Sequence, residues 1–365
     1  MKFWNARYPI AIDLSDGAEM CALQLAAPRG VAVVRAAARR DVRTGDGGAP
    51  ADGDVRDFIR DVLRSRAFRG RAVALLPPVD AVRSYPLRVE VGKEETFEAA
   101  LVRHAASDLK ISVDEWSLDY ASVGPPGPAG KGTRDVLLFA ARNEDVSRYL
   151  NLVKQAGGVL EVINSSASAL VRAYTISGAK PNPVLLCNVG RSGAALVVAS
   201  CDSILAHRNA NWGTERLCRK LIDNLGVSRQ SIDADFLLRK HGLLHAVAVD
   251  ADSGSSGPTD DTARTVGQLL APLADELVRE LHNLVGYVRS GAPDVVMDGL
   301  FLYGRGARVN GLAEYIAREL NVEGRSMNPL ERLGWQHAQV IPGLADEGTA
   351  YALALGLAMR RIPWL

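Results

Sequence analysis

Apolar residues fall in short blocks along this chain, and the period of the pattern changes from block to block. The stretches "YPIAIDL" (8–14) and "MCALQLA" (20–26) are apolar runs joined by the small polar turn "SDGAE", which predicts a β-hairpin. "RAVALLP" (71–77) and "RDVLLFAA" (134–141) read as further short strands, each ending at a breaker or a polar helix start. "NEDVSRYLNLVKQAGG" (143–158) has helical spacing, with Asn143 as the expected N-cap, acids behind it, and Gly157 and Gly158 as the stop. In "TARTVGQLLAPLADELVRELHNLVGYVRSG" (262–291), Val266, Leu269, Leu273, Leu277, Leu281, Leu284 and Val288 recur at steps of three and four. That predicts one long amphipathic helix, bent at Pro272. Alternating strands and helices predict an α/β protein. Three segments read as solvated loops: 39–54, 124–134 and 250–261.

The stretch "LLCNVGRSGAALVV" (185–198) repeats the first hairpin about half a chain later. Asp13 aligns with Asn188, Ser15 with Gly190, and Gly17 with Ser192, and Gly193 completes the second turn. Two such hairpins predict two similar lobes whose turns face one cleft. Glycine and serine turns let backbone amides approach an anion, so a phosphate chain is the ligand such a pair suits. A third element follows in "DGLFLYGRGARVNGLAEYIAREL" (298–320), a strand, a turn holding Gly304 and Gly306, and a helix. Backbone can lie flat on a nucleotide at such a place, although a tight strand-to-helix turn needs the same glycines.

Two phosphate hairpins followed by a glycine turn and a helix resemble the order of actin-like ATPases. Within that superfamily the chain resembles the PilM family of type IV pilus assembly. The likeness rests on "VALLPPVDAVRSYPLR", "DEWSLDYASV", "DVLLFAARNEDVSRYLNLVKQAGGVLEVINSSASALVRAY", "HRNANWGTERLCRKLIDNLGVSRQSIDADFLLRKHG" and "AYALALGLAMR", in that order. It implies a two-lobed actin-like (ribonuclease H-like) fold. Residues 1–178 would form the first lobe, with an insertion at about 84–150, and 179–365 the second, with a helical subdomain at about 214–292. It also implies ATP with magnesium as the ligand of an intact site, and Gly213 and Asp235 as further nucleotide-site positions.

Departures from the family pattern concentrate at that site. Asp16 and Met20 replace uncharged and basic positions of the first turn, and Asn188 stands where a metal-holding carboxylate is expected. An amide cannot attract magnesium by charge or take a proton from water. Trp212 fills the first place of a glycine pair, leaving Gly213 alone, and Leu238 stands where a lysine is usual. A former ATPase, or at most a nucleotide binder, is therefore expected, with no catalytic residue assigned. By resemblance its partner is a PilN-like bitopic membrane protein, whose cytoplasmic tail would lie between the first lobe and its insertion. An active ATPase or sugar kinase of the same fold, or a cytoplasmic component of a type II secretion system, is the competing reading.

Composition narrows the rest. Of 365 residues 47% are hydrophobic and 23% charged, and the net charge of +1 provides no field for nucleic acid or an anionic membrane. Arg7, Pro9 and Asp13 interrupt the first apolar run, so no signal peptide or membrane insertion is expected. The four cysteines form no CxxC pair. A cytoplasmic protein, tied to the inner membrane by its partner, is the expectation. "HGLLH" spaces His241 and His245 one helical turn apart without a third ligand, so no metal is expected there. Ser165, Ser166 and Ser168 have no evident histidine partner, and Trp364 is expected to pack against the first lobe.

Overall fold

The computed structural model describes residues 8–27, 31–42, 50–123, 132–176, 183–200, 203–226, 231–244, 246, 261–331, 333 and 348–361. The predicted first hairpin is β1 (Ile10–Asp13) and β2 (Glu19–Ala26), paired with Asp13 opposite Cys21. β3 (Val33–Asp41) adds to β2, while β4 (Ala72–Leu76) and β8 (Val159–Ile163) line up parallel to β1 on the other side. The sheet order is β3-β2-β1-β4-β8. A second sheet has β9 (Val184–Val189), β10 (Ala194–Ser200), β11 (Ser203–Ala210), β12 (Leu300–Gly304) and β13 (Gly324–Ser326), in the order β11-β10-β9-β12-β13. Order and strand directions match those of the first sheet. The repeat read from two hairpins is thus a repeat of whole sheets.

Two helices hold the sheets together. α4 (Ser166–Ile176) and α9 (Ala352–Ala358) share one buried core with Leu23 of the first sheet and Leu186, Val197 and Tyr303 of the second. They cross so closely that a Cβ on Gly356 would stand 1.7 Å from the Ala169 carbonyl oxygen, which excludes any side chain there. On the outer face of the first sheet, α1 (Asp52–Arg64) and α3 (Asn143–Gln155) cover it with Phe58, Ile59, Tyr149 and Val153. The second lobe is covered by α5 (Thr214–Leu225), α6 (Ser231–Lys240), α7 (Asp261–Gly291) and α8 (Leu312–Leu320). α7 is continuous through Pro272. It buries Val266, Leu277, Leu281, Leu284 and Val288 as the spacing predicts, but on either side of Pro272 it buries Leu270 and Ala274 in place of Leu269 and Leu273, which are only partly covered.

Between β4 and β8 the chain builds a third sheet, β5 (Arg83–Val91), β6 (Trp116–Ser122) and β7 (Gly132–Arg142), in the order β5-β7-β6, with α2 (Phe97–Leu109) packed on it. Leu150, the expected end of the insertion, lies inside α3, whose Tyr149 and Leu152 belong to the first-lobe core. Asn143 is not a cap. Arg142 takes that position, and the Asn143 side chain instead donates to the Asp114 carbonyl and accepts from Ser117. The polar loops are also shorter than composition suggests. Residues 39–41 finish β3, 52–54 open α1, 132–134 open β7, and Asp261 starts α7. The remaining loop centres, His245 and Trp364 lie outside the described residues.

Candidate functional site

The turns of the two hairpins meet. Gly17 N–H donates to the Ser192 hydroxyl at 3.1 Å across 175 residues of sequence. At the end of β1, Asp13 is buried, and one of its oxygens accepts from both the Ser15 amide (2.9 Å) and the Ser15 hydroxyl (2.6 Å). Burial raises the Asp13 carboxyl to about 6, against the lowering effect of those bonds.

Asp16 joins the lobes. Arg191 N–H donates to one of its oxygens, and Ser192 donates to the other through both its amide (3.2 Å) and its hydroxyl (2.9 Å). These are the donors a phosphate would use in the second turn, and a carboxylate of the chain itself already holds them. Gly190 permits this, because a Cβ there would stand 2.6 Å from the Asp16 oxygen.

The helix behind the second turn is closed as well. Thr214 N–H donates to the Gly190 carbonyl (3.1 Å) and Glu215 N–H to the Arg191 carbonyl (2.9 Å), so the first turn of α5 gives its donors to backbone. Gly213 is fixed by packing, since its Cβ would fall 2.2 Å from the Arg191 oxygen. Trp212, in the place of the missing glycine, is buried and donates its indole N–H to the Leu273 carbonyl at 2.8 Å. Gly193 lies in the same turn, its carbonyl accepting from Gly190 N–H at 2.8 Å. Gly304 has φ 76° and would place a Cβ 2.3 Å from the Val189 oxygen, while one on Gly306 would meet the Val189 side chain at 2.5 Å. Both glycines therefore serve the close approach of this turn to β9. The Asn188 side-chain Oδ1 is buried there without a hydrogen-bond partner among the described residues. Asp235 is paired at 3.4 Å with Arg239 on its own helix.

A cross-lobe ion cluster accompanies the turns, and sequence reasoning missed it. Arg305, directly after Gly304, donates to Glu19 of β2 at 2.6 Å and to Asp41 of β3 at 3.1 Å, and Arg39 holds the second Glu19 oxygen at 3.0 Å. The Glu19 side chain is 4% exposed, and burial raises its carboxyl while the two guanidiniums oppose the rise. The available signal was a lone acid opening the apolar strand "EMCALQLA". His207 makes a second junction. Its ring meets Ser84 of the inserted sheet at 2.8 Å, Ser166 of α4 at 3.2 Å and Asn209 at 3.1 Å. Ser166 thus does have a histidine partner, contrary to expectation. Enclosure pushes that imidazole down to about 4, and its remaining partner is an amide rather than a carboxylate, so it acts as a neutral pin.

A cavity of about 690 Å³ lies where the inserted sheet approaches β8. Its walls are β6, β8 and the face of α4 that carries Ser168, Val171, Arg172 and Thr175. Val146 and Leu150 of α3 also line it, as do Ser203 and Ile204 of β11 in the second lobe. β6 and β8 are both edge strands, so two unpaired backbone edges border one groove among the described residues.

The residues between the lobes do not fit a nucleoside triphosphate in this arrangement. The second-turn donors are bound to Asp16, the α5 donors are bound to carbonyls, and Asn188 supplies no charge. Among the described residues no cluster of three His, Cys, Asp or Glu side chains could hold a metal ion, and no helix is long and apolar enough to cross a membrane.

Duplicated five-stranded sheets, joined through helices and facing each other across two hairpin turns, define an actin-like two-lobed body with an insertion in its first lobe. Solved structures share that fold. A PilM–PilN type IV pilus biogenesis complex matches with a TM-score of 0.75 at 20% identity, over 97% of this chain and 98% of that one. The ethanolamine utilization protein EutJ of Carboxydothermus hydrogenoformans matches at 0.52 and 13% identity, over 98% and 91%. MreB5 of Spiroplasma citri, bound to ADP, matches at 0.51 and 10% identity, over 98% and 96%. The profile of the family described as "Type IV pilus assembly protein PilM" matches residues 19–243 and 259–362, and the chain belongs to that family.

Proposed function

We propose that this PilM-family chain is an adaptor of the pilus assembly platform. It receives the extended cytoplasmic tail of a PilN-like membrane protein, and through it is held at the inner membrane. The observation that carries this reading is the groove of about 690 Å³ bordered by the edges of β6 and β8. An extended peptide gains affinity there by main-chain pairing to an open edge, and specificity from side-chain pockets. Leu118, Leu150, Leu160, Val162 and Val171 are among the apolar residues of the lining. The PilN component of the similar complex gives the partner its class.

We further propose that the interlobe site is a former nucleotide site that does not turn ATP over. The Asp16 carboxylate on the second-turn donors and Asn188 at the strand end support this. The carboxylates at the turns, Asp13, Asp16 and Glu19, are taken up by partners within the chain, which gives the sugar-kinase alternative no support among the described residues. A photoreactive side chain at position 150, on the rim of the groove, tests the adaptor reading. It should cross-link to the tail of the PilN-family protein of the same organism, while one at position 192 should not. The reverse pattern would refute the assignment of the groove.

A further inference from the structure

The groove has an uneven charge layout. Arg172 extends from the α4 face that lines it, and Arg360 lines the same end. Among the described residues neither guanidinium has an acidic partner, and the Nη1 atom of Arg172 is buried without any hydrogen bond. Burial first, and then the Arg360 charge, lower Arg172 to about 10. Arg172 is half-buried and Arg360 exposed, yet a buried guanidinium nitrogen left without a hydrogen bond is costly, so a free protein would lose little by an apolar side chain in place of Arg172. The two carboxylates in the lining are elsewhere. Asp119 projects from the exposed edge strand β6, and Glu161 sits on β8, neither of them paired with Arg172.

We propose that the Arg172 and Arg360 end of the groove is a carboxylate-reading subsite, which fixes the register of the bound tail by pairing with one acidic group of it. The inference rests on the groove being the tail site. It adds which chemistry that site selects. An edge strand offers the same main-chain groups every two residues, so pairing alone leaves register open to slippage. One fixed bidentate contact at the end of the groove removes that freedom, because an arginine fork fits a carboxylate in one geometry.

The test is a calorimetric titration of the full chain with a synthetic peptide of the PilN-family tail and with its Glu/Asp→Gln/Asn versions. Arg172→Met should weaken binding by about ten- to hundredfold, the range for losing a charged hydrogen-bond pair. Neutralising one acidic peptide residue should weaken it similarly. The two changes together should cost no more than either alone, and Arg172→Lys should retain part of the affinity. Arg172→Met should leave the melting temperature of the free chain unchanged or raised, which a purely structural arginine would not do. A tail without an acidic residue, full affinity in Arg172→Met, or a loss in Arg172→Met that ignores the peptide's charge would each overturn the subsite. Leu150→Arg, a change at a half-exposed groove residue, separates the two readings. If it abolishes binding while the Arg172 results fail, the subsite falls and the groove stands. If it leaves binding intact, the groove itself falls.

Discussion

Asp16→Ala is the sharpest perturbation of the interlobe contact. It removes the acceptor of the Arg191 amide, the Ser192 amide and the Ser192 hydroxyl together. A hydrogen bond to a charged group contributes about 1.5–3 kcal/mol when buried. Asp16 is half-buried and water can reach the emptied turn, so about 1 kcal/mol for each of the three bonds is the proper scale here, or about 3 kcal/mol in all. The change falls on the local opening of the second turn, because the sheets and α4 keep their contacts. Amide hydrogen exchange at Arg191 and Ser192 should then accelerate by about a hundredfold, with amides in the centre of β9 and β10 unaffected. Asp16→Asn, which retains one carbonyl acceptor, should fall between. Exchange at Arg191 and Ser192 that stays within about threefold of the wild type would show that Asp16 does not close the site.

Asp13 predicts a pH dependence. Its folded carboxyl is raised to about 6 from an ordinary 3.8, so the folded state holds the proton more tightly and stability falls as pH rises from about 4 to above 6. That loss is about 3 kcal/mol, and Asp13→Asn should flatten it, read as melting temperature against pH for the two proteins. Arg305→Ala strips buried Glu19 of one of its two guanidiniums and should cost about 3 kcal/mol in denaturant melts, part of it recovered by adding Glu19→Gln. Asn188→Asp restores a carboxylate but not the donors that Asp16 occupies, so phosphate release should stay at background in both wild type and variant. Turnover by either protein would contradict the closed-site reading.

Much of the fold was legible because its repeat is written in local chemistry. A strand, a small polar turn and a returning strand recur at Asp13 and Asn188, and the sheet order confirms that two whole lobes repeat. β3 escaped because "VVRAAARRD" mixes alanine and arginine without an apolar run, and it forms only because β2 offers an edge. Asn143 was misread because a capping side chain and one bonded to a neighbouring strand look alike in sequence, and Ser117 decides between them. At the site the turn residues expected around a phosphate do gather. Their hydrogen bonds were not readable, because Asp16 and Ser192 are 176 positions apart and only the folded lobes bring them together. Arg305 and Glu19 were hidden for the same reason.

Titration of the tail peptide into nucleotide-free protein, repeated with ATP and magnesium, measures the central claim most directly. The adaptor account predicts saturable binding of one peptide per chain with the same affinity in both solutions, since none of the interlobe-turn residues lines the groove. Binding that appears only with ATP and magnesium would contradict it.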